Sequence, residues 1–122
     1  MTAADIEQKV TQLVAEKLGL TINKGICRGP LPETVCDAIG VMIDSAGTGN
    51  EPSLSRFSIQ LLGRYKSRDE ALNLCAKLDE IFPDWAPDYT ILKVGSPGIY
   101  QTAFKGKKVT GISANLEGFF PG

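Results

Sequence analysis

The residues that could do chemistry are few and far apart. Three cysteines, Cys27, Cys36 and Cys75, stand in a chain that has no histidine. A structural zinc site takes four ligands, usually in closely spaced pairs. Here the nearest two cysteines are nine positions apart and no Cys-x-x-Cys occurs. A nucleophilic cysteine needs a base beside it, and the commonest base is missing. Cys75 falls on the apolar side of a helical pattern, where a free thiol behaves as a small hydrophobe. Cys27 and Cys36 flank a proline-rich turn that a disulfide could span, although a reducing cytosol favours two thiols. Asp84 and Asp88 flank Trp85, and two acids beside a turn read first as turn residues, before any acid–base role. No Gly-x-Ser-x-Gly elbow is present, and neither "GSPG" nor "KGKK" sets a lysine directly before Ser or Thr as a phosphate loop does. The expectation is a chain with no catalytic centre, no metal and no cofactor.

Lys105, Lys107 and Lys108 form the densest basic spot. They could meet a phosphate backbone. A solvated hairpin tip explains them as well, since lysines there discourage edge-to-edge pairing. With 13 Lys and Arg against 14 Asp and Glu, the formal net charge is −1. A dedicated nucleic-acid binder usually carries a marked basic excess.

The elements that must position these groups come from periodicity. In the first segment Ile6, Val10, Leu13, Val14 and Leu18 recur at helical spacing. Thr2 can cap that helix with Asp5 three residues on, and Gly19 is placed to end it, which predicts a helix over Ala3 to Leu18. Thr21 to Arg28 reads as a short extended segment, stopped by Gly29-Pro30-Leu31-Pro32. "DAIGVMIDS" alternates as a strand, with Ile39, Val41 and Ile43 on one face. "AGTGNEPSLS" has the composition of a loop. Phe57, Ile59 and Leu61 share one face of the next strand and Ser58, Gln60 and Leu62 the other, which suggests a sheet half open to water or a partner. Ser67 and Glu70 have capping-box spacing. Ala71, Leu74, Cys75, Leu78, Ile81 and Phe82 then form a helical stripe that Pro83 ends. "PDWAPDY" reads as an irregular connection and "YTILKV" as a strand. The remainder reads as two strands about a turn at Lys105-Gly106-Lys107-Lys108. Most of the aromatic residues, Trp85, Tyr89, Tyr100 and Phe104 among them, are expected in the core, and the apolar end at Phe119-Phe120 suggests a paired or covered last strand. The whole is a single α+β domain over residues 1–122: a mostly antiparallel sheet with two helices packed on one face. The first segment is charged and amphipathic, unlike a signal peptide, and no apolar run reaches the length of a bilayer span.

Taken in order, the N-terminal helix, "GICRGPLPETVCDAIGVMID" and "FSIQLLGRYKSRDEALNLCAKLDEIF" resemble tailed-bacteriophage minor capsid and tail-terminator (head–tail joining) proteins. In that family a strand runs straight into an "eA...a..i...L" helix; Ser58 to Ser67 matches the strand and Glu70 to Ile81 the helix. "ILKVGSPGIYQTAFKGKKVTGISANLEGFF" is similar to the family's ending, with Asn115 at the place of its asparagine. The resemblance runs from about Asp5 to Phe120. It implies a non-enzymatic virion protein of a phage or prophage, made in the host cytoplasm and placed in the tail or neck. There it forms a ring, commonly a hexamer, that terminates the tail tube. Its partners would be copies of itself, the tail-tube protein and a head-completion or connector protein, with neither membrane nor nucleic acid required. Such a ring needs two different patches per subunit. The residues expected to carry contacts are Ser58, Gln60 and Leu62 on the open sheet face, Thr48, Asn50 and Glu51 in the long loop, and Lys105, Lys107 and Lys108 at the basic turn. The alternative is a small cytosolic ligand- or nucleic-acid-binding module using the open sheet face and the Lys105–Lys108 turn.

Overall fold

A computed structural model describes residues 2–48 and 54–121. Helix α1 spans Ala3–Leu18. The Asp5 N–H donates to Thr2 Oγ1 and the Thr2 N–H to Asp5 Oδ2, both at 3.1 Å, so the N-terminus is closed reciprocally. Those bonds from Thr2 hold the Asp5 carboxyl below its ordinary pKa. Gly19 ends the helix in the left-handed region at φ 68°, a conformation that costs glycine little. Strands β1 (Ile26–Arg28), β2 (Ala38–Thr48) and β3 (Leu54–Tyr65) follow, then α2 (Arg68–Ile81), β4 (Asp84–Ala86), β5 (Tyr89–Lys93), β6 (Gly98–Phe104) and β7 (Lys107–Pro121).

The fold is α+β, with the seven strands in the order β1-β2-β3-β7-β5-β4 and β6 also on β7. Every pairing is antiparallel except β1 with β2. β5 and β6 lie end to end along one side of β7: Lys93 faces Leu116, the Val94 N–H donates to the Asn115 carbonyl at 2.9 Å, and Gly98 faces Ser113. Residues 94–97 are thus extra chain inserted into one interrupted strand.

Period-two alternation decides which face is buried. Phe57, Ile59 and Leu61 of β3 stand level with Val41 of β2 and with Ala114 and Leu116 of β7, all buried. Ile6, Val10 and Val14 of α1 and Ala71, Leu74 and Leu78 of α2 join the same cluster. The two helices therefore cover one face. Three polar joints fix them. Glu7 accepts from the Arg28 Nε and from the Ile43 N–H, each at 3.0 Å. Lys17 lies 3.1 Å from Asp84. Lys93 lies 2.5 Å from Asp79 of α2.

Several expectations need correction. The extended segment at Thr21–Arg28 is strand only at Ile26–Arg28, because the Lys24 and Gly25 N–H groups turn back onto the Thr21 carbonyl. The loop over "AGTGNEPSLS" shrinks: β2 runs to Thr48 and β3 begins at Leu54, so ladder pairing overrides turn composition. "PDWAPDY" is a hairpin, with Asp84 facing Ile91 and Ala86 facing Tyr89. Trp85 there is 69% exposed, not core, and Tyr100 is also exposed. In α2 the Ser67 half of the expected capping box is the half that forms, with Oγ accepting from the Glu70 N–H at 3.3 Å. The last turn is the two-residue Lys105-Gly106, at φ 51° and 77°; Lys107 and Lys108 already belong to β7.

Two measurements test these packing arguments. A Cβ on Gly118 would lie 1.9 Å from the Thr90 carbonyl oxygen, whereas one on Gly98 meets nothing within 4 Å. Gly118→Ala should lose about 2–3 kcal/mol or more in urea unfolding, and Gly98→Ala should change stability little. The Tyr89 hydroxyl donates to Asp84 at 2.6 Å, and that bond lifts its pKa from 10.0 to about 12. The folded value lies above the unfolded one, so the stabilisation is complete below pH 10 and disappears as pH rises through about 12. The gap in melting temperature between wild type and Tyr89→Phe should therefore narrow over that interval; a constant gap would contradict the assignment.

Candidate functional site

The face of the sheet turned away from both helices is built from the alternate residues of every long strand. Across it run three rows fixed by register: Gly40, Leu62, Ser113 and Gly98; Met42, Gln60 and Asn115; Ser45, Ser58, Glu117 and Leu92. Ser58, Gln60 and Leu62 lie in the middle strand of these rows, each half-buried. Met42, Leu92 and Phe119 add half-buried apolar surface among them. Leu62, Met42, Leu31 and Tyr100 line a shallow cavity of about 150 Å³ on this face. Hydroxyl and amide groups set among apolar side chains suit contact with protein better than proton transfer.

Two glycines let chain lie flat on this face. A Cβ on Gly40 would come within 2.7 Å of the Gly29 carbonyl and 2.8 Å of the Leu31 N–H, so residues 29–31 cross directly over it. A Cβ on Gly111 would sit 2.4 Å from the Tyr100 ring, which occupies that space. Arg64 then secures the crossing segment. Its guanidinium donates to the Val35 carbonyl from Nε at 3.2 Å and from Nη2 at 2.8 Å, and also to the Pro32 carbonyl. The same group lies 5.6 Å from the centre of the Phe104 ring, within cation–π range. Asp37, at φ 58°, closes the loop by accepting from the Lys66 N–H at 3.0 Å. Sequence reasoning passed over Arg64. The available signal was an arginine on the open side of a strand, with a proline-rich loop to hold.

The expected contact residues do not form one patch. Thr48 faces Ser55 at one end of β3, while Tyr65 and Thr110 mark the other end, beside the Lys105-Gly106 turn. The 12 residues of β3 separate the ends, roughly 35–40 Å at the usual rise. Asn50 and Glu51 lie outside the described residues. Lys107 and Lys108 are adjacent in β7 and so point to opposite faces. Lys105 Nζ lies 5.4 Å from the Phe104 ring centre.

No family model matches the chain, and a search of the curated proteins finds no match.

The cysteines are free thiols, including Cys27 and Cys36. Burial pushes the Cys27 and Cys75 thiols up, away from the reactive thiolate. Among the described residues no group of three His, Cys, Asp or Glu side chains is placed to hold a metal ion, and no helix is long and apolar enough to cross a membrane. Asp84, the acid that drew attention beside Trp85, is held by Lys17 and Tyr89 as a joint between α1 and the β4–β5 hairpin.

Arg64→Ala should cost roughly 2–3 kcal/mol, because charged hydrogen bonds to two carbonyls disappear. Arg64→Lys should recover less than half of that, since an ammonium lacks the planar fork. Urea unfolding of the two variants checks both values.

Proposed function

We propose that the chain is a non-enzymatic structural subunit of a phage or prophage virion. It assembles into a ring, in the first instance a hexamer, at the head–tail junction. There it terminates the tail tube and meets the head connector. The reading rests on the ordered resemblance of its sequence to tail-terminator proteins.

One physical observation supports it most: the open sheet face, where Met42, Leu62, Leu92 and Phe119 keep apolar surface half in water around Ser58 and Gln60. Apolar surface collected on one side of a rigid sheet suits a subunit interface. A ring closes only if a second, different surface meets the first. The helix layer, with Leu72 of α2 41% exposed, offers one.

Light scattering across a concentration series should show mass rising from monomer to one defined ring, sooner when tail-tube protein is added. Leu62→Glu and Phe119→Glu should hold the chain as monomer while leaving the melting temperature within a few degrees, because both side chains are only half-buried. Monomer alone at every concentration, with tail-tube protein present, would sink the proposal.

A further inference from the structure

Among the described residues the outer edge of β6 is unpaired. β6 joins β7 through a two-residue turn, so Phe104 and Lys107 form a hydrogen-bonded pair and the bonded pairs recur at Thr102 with Val109, Tyr100 with Gly111 and Gly98 with Ser113. The N–H and C=O groups of Ile99, Gln101 and Ala103 therefore point away from β7. No other strand pairs with β6, and no backbone hydrogen bond to these three residues exists among the described residues.

Beside this edge, on the helix side of the sheet, runs a groove of about 490 Å³ between the start of α2 and the β6–β7 hairpin. Lys66, Arg68, Lys108, Ile99, Gln101 and Thr110 line it. None of the three cations has a carboxylate within salt-bridge distance among the described residues. A free strand edge and a row of unpaired cations lie together. We infer that β6 and this groove bind an extended acidic segment of a partner protein, added to the sheet as a further strand. Backbone groups of Ile99, Gln101 and Ala103 would carry the ladder, and Lys66, Arg68 and Lys108 would select the carboxylates on the partner's helix-side positions.

Two observations select this occupant over others. A phosphate backbone could satisfy the cations, but it offers no alternating donors and acceptors to the strand edge. A second copy pairing through its own β6 would bring another set of the same cations to the sheet and no carboxylate to meet either set, whereas an acidic strand supplies the opposite charge. The inference stands on the β6 edge alone and holds whether or not the chain forms a ring.

The test is a titration of the ¹⁵N-labelled full chain with a short peptide of alternating valine and glutamate. The amides of Ile99, Gln101 and Ala103 should shift and exchange more slowly with solvent. The combined Lys66→Ala, Arg68→Ala and Lys108→Ala variant should bind at least tenfold more weakly, as should wild type in high salt. Gln101→Pro removes an outward N–H while leaving the β7 ladder intact, and should abolish binding without loss of the folded spectrum. If that variant does not fold, the triple variant still decides the matter. Binding that leaves those amides unmoved, or no binding at millimolar peptide, overturns the inference. So does oligothymidylate capture by the same cations without protection of the edge amides, or peptide-free dilution shifts at β6 that reveal self-pairing.

Discussion

The structure depends on the pairing of β3 with β7. The two strands meet over 12 consecutive positions, from Leu54 opposite Pro121 to Tyr65 opposite Thr110, with no break in register. Nothing local enforces this, because α2 and three further strands intervene. The alternation enforces it. Ile59 must share a face with Leu116, and Leu61 with Ala114, or the buried set turns to water; a slip of one residue would exchange every side chain between the faces. Once β3 and β7 are set, β2 adds on one side and the interrupted β5–β6 line on the other. The two helices then have a continuous apolar surface to cover.

Much of this was legible in the sequence wherever a long periodic run met a cap. The Thr2 and Ser67 caps, the helical stripes and the alternation through Phe57, Ile59 and Leu61 each reach the same conclusion by independent routes. What was not legible is short or non-local. β4 is three residues between two prolines and carries no alternation of its own; it exists because Ile91 is buried in the core and its strand offers a free edge. The ends of β2 and β3 look like loop because Gly, Asn, Ser and Pro dominate there, yet the hairpin extends the ladder to Thr48 and Ser55. The insertion at residues 94–97 has the composition of a terminator, and only the register of β7 on both sides of it shows that one strand continues. The candidate contact face was legible at Ser58, Gln60 and Leu62, since alternation alone assigns it. That the lysines part to opposite faces follows from the true turn length, which the sequence overstated by two residues.

The open face also explains the placement of Arg64 and the glycines. Gly40 and Gly111 are where other chain must approach the sheet closely, and at both positions the space for a Cβ is already filled, by residues 29–31 and by the Tyr100 ring. Arg64 turns this into a fixed arrangement by tying the crossing segment through its carbonyls. A loop held in this way presents a rigid edge to whatever meets the face beside it. Stiffness of that kind lowers the entropy lost when two surfaces associate.

The edges of the sheet are treated differently along their length. At β2 the outward Ile43 N–H is taken by the Glu7 carboxylate, and nearer the start of the strand β1 supplies the partners. At the other side β4 covers the edge of β5 at Asp84 to Ala86. Each cover is a short strand or a single side chain, the economical means by which sheets avoid unwanted pairing. β6 has neither. β6 itself holds no charged residue, and the charges beside it are the cations Lys66, Arg68 and Lys108 of the adjoining groove, which favour an acidic chain. A strand edge left uncovered and flanked by charge of one sign favours a chain of the opposite sign over a second copy of itself.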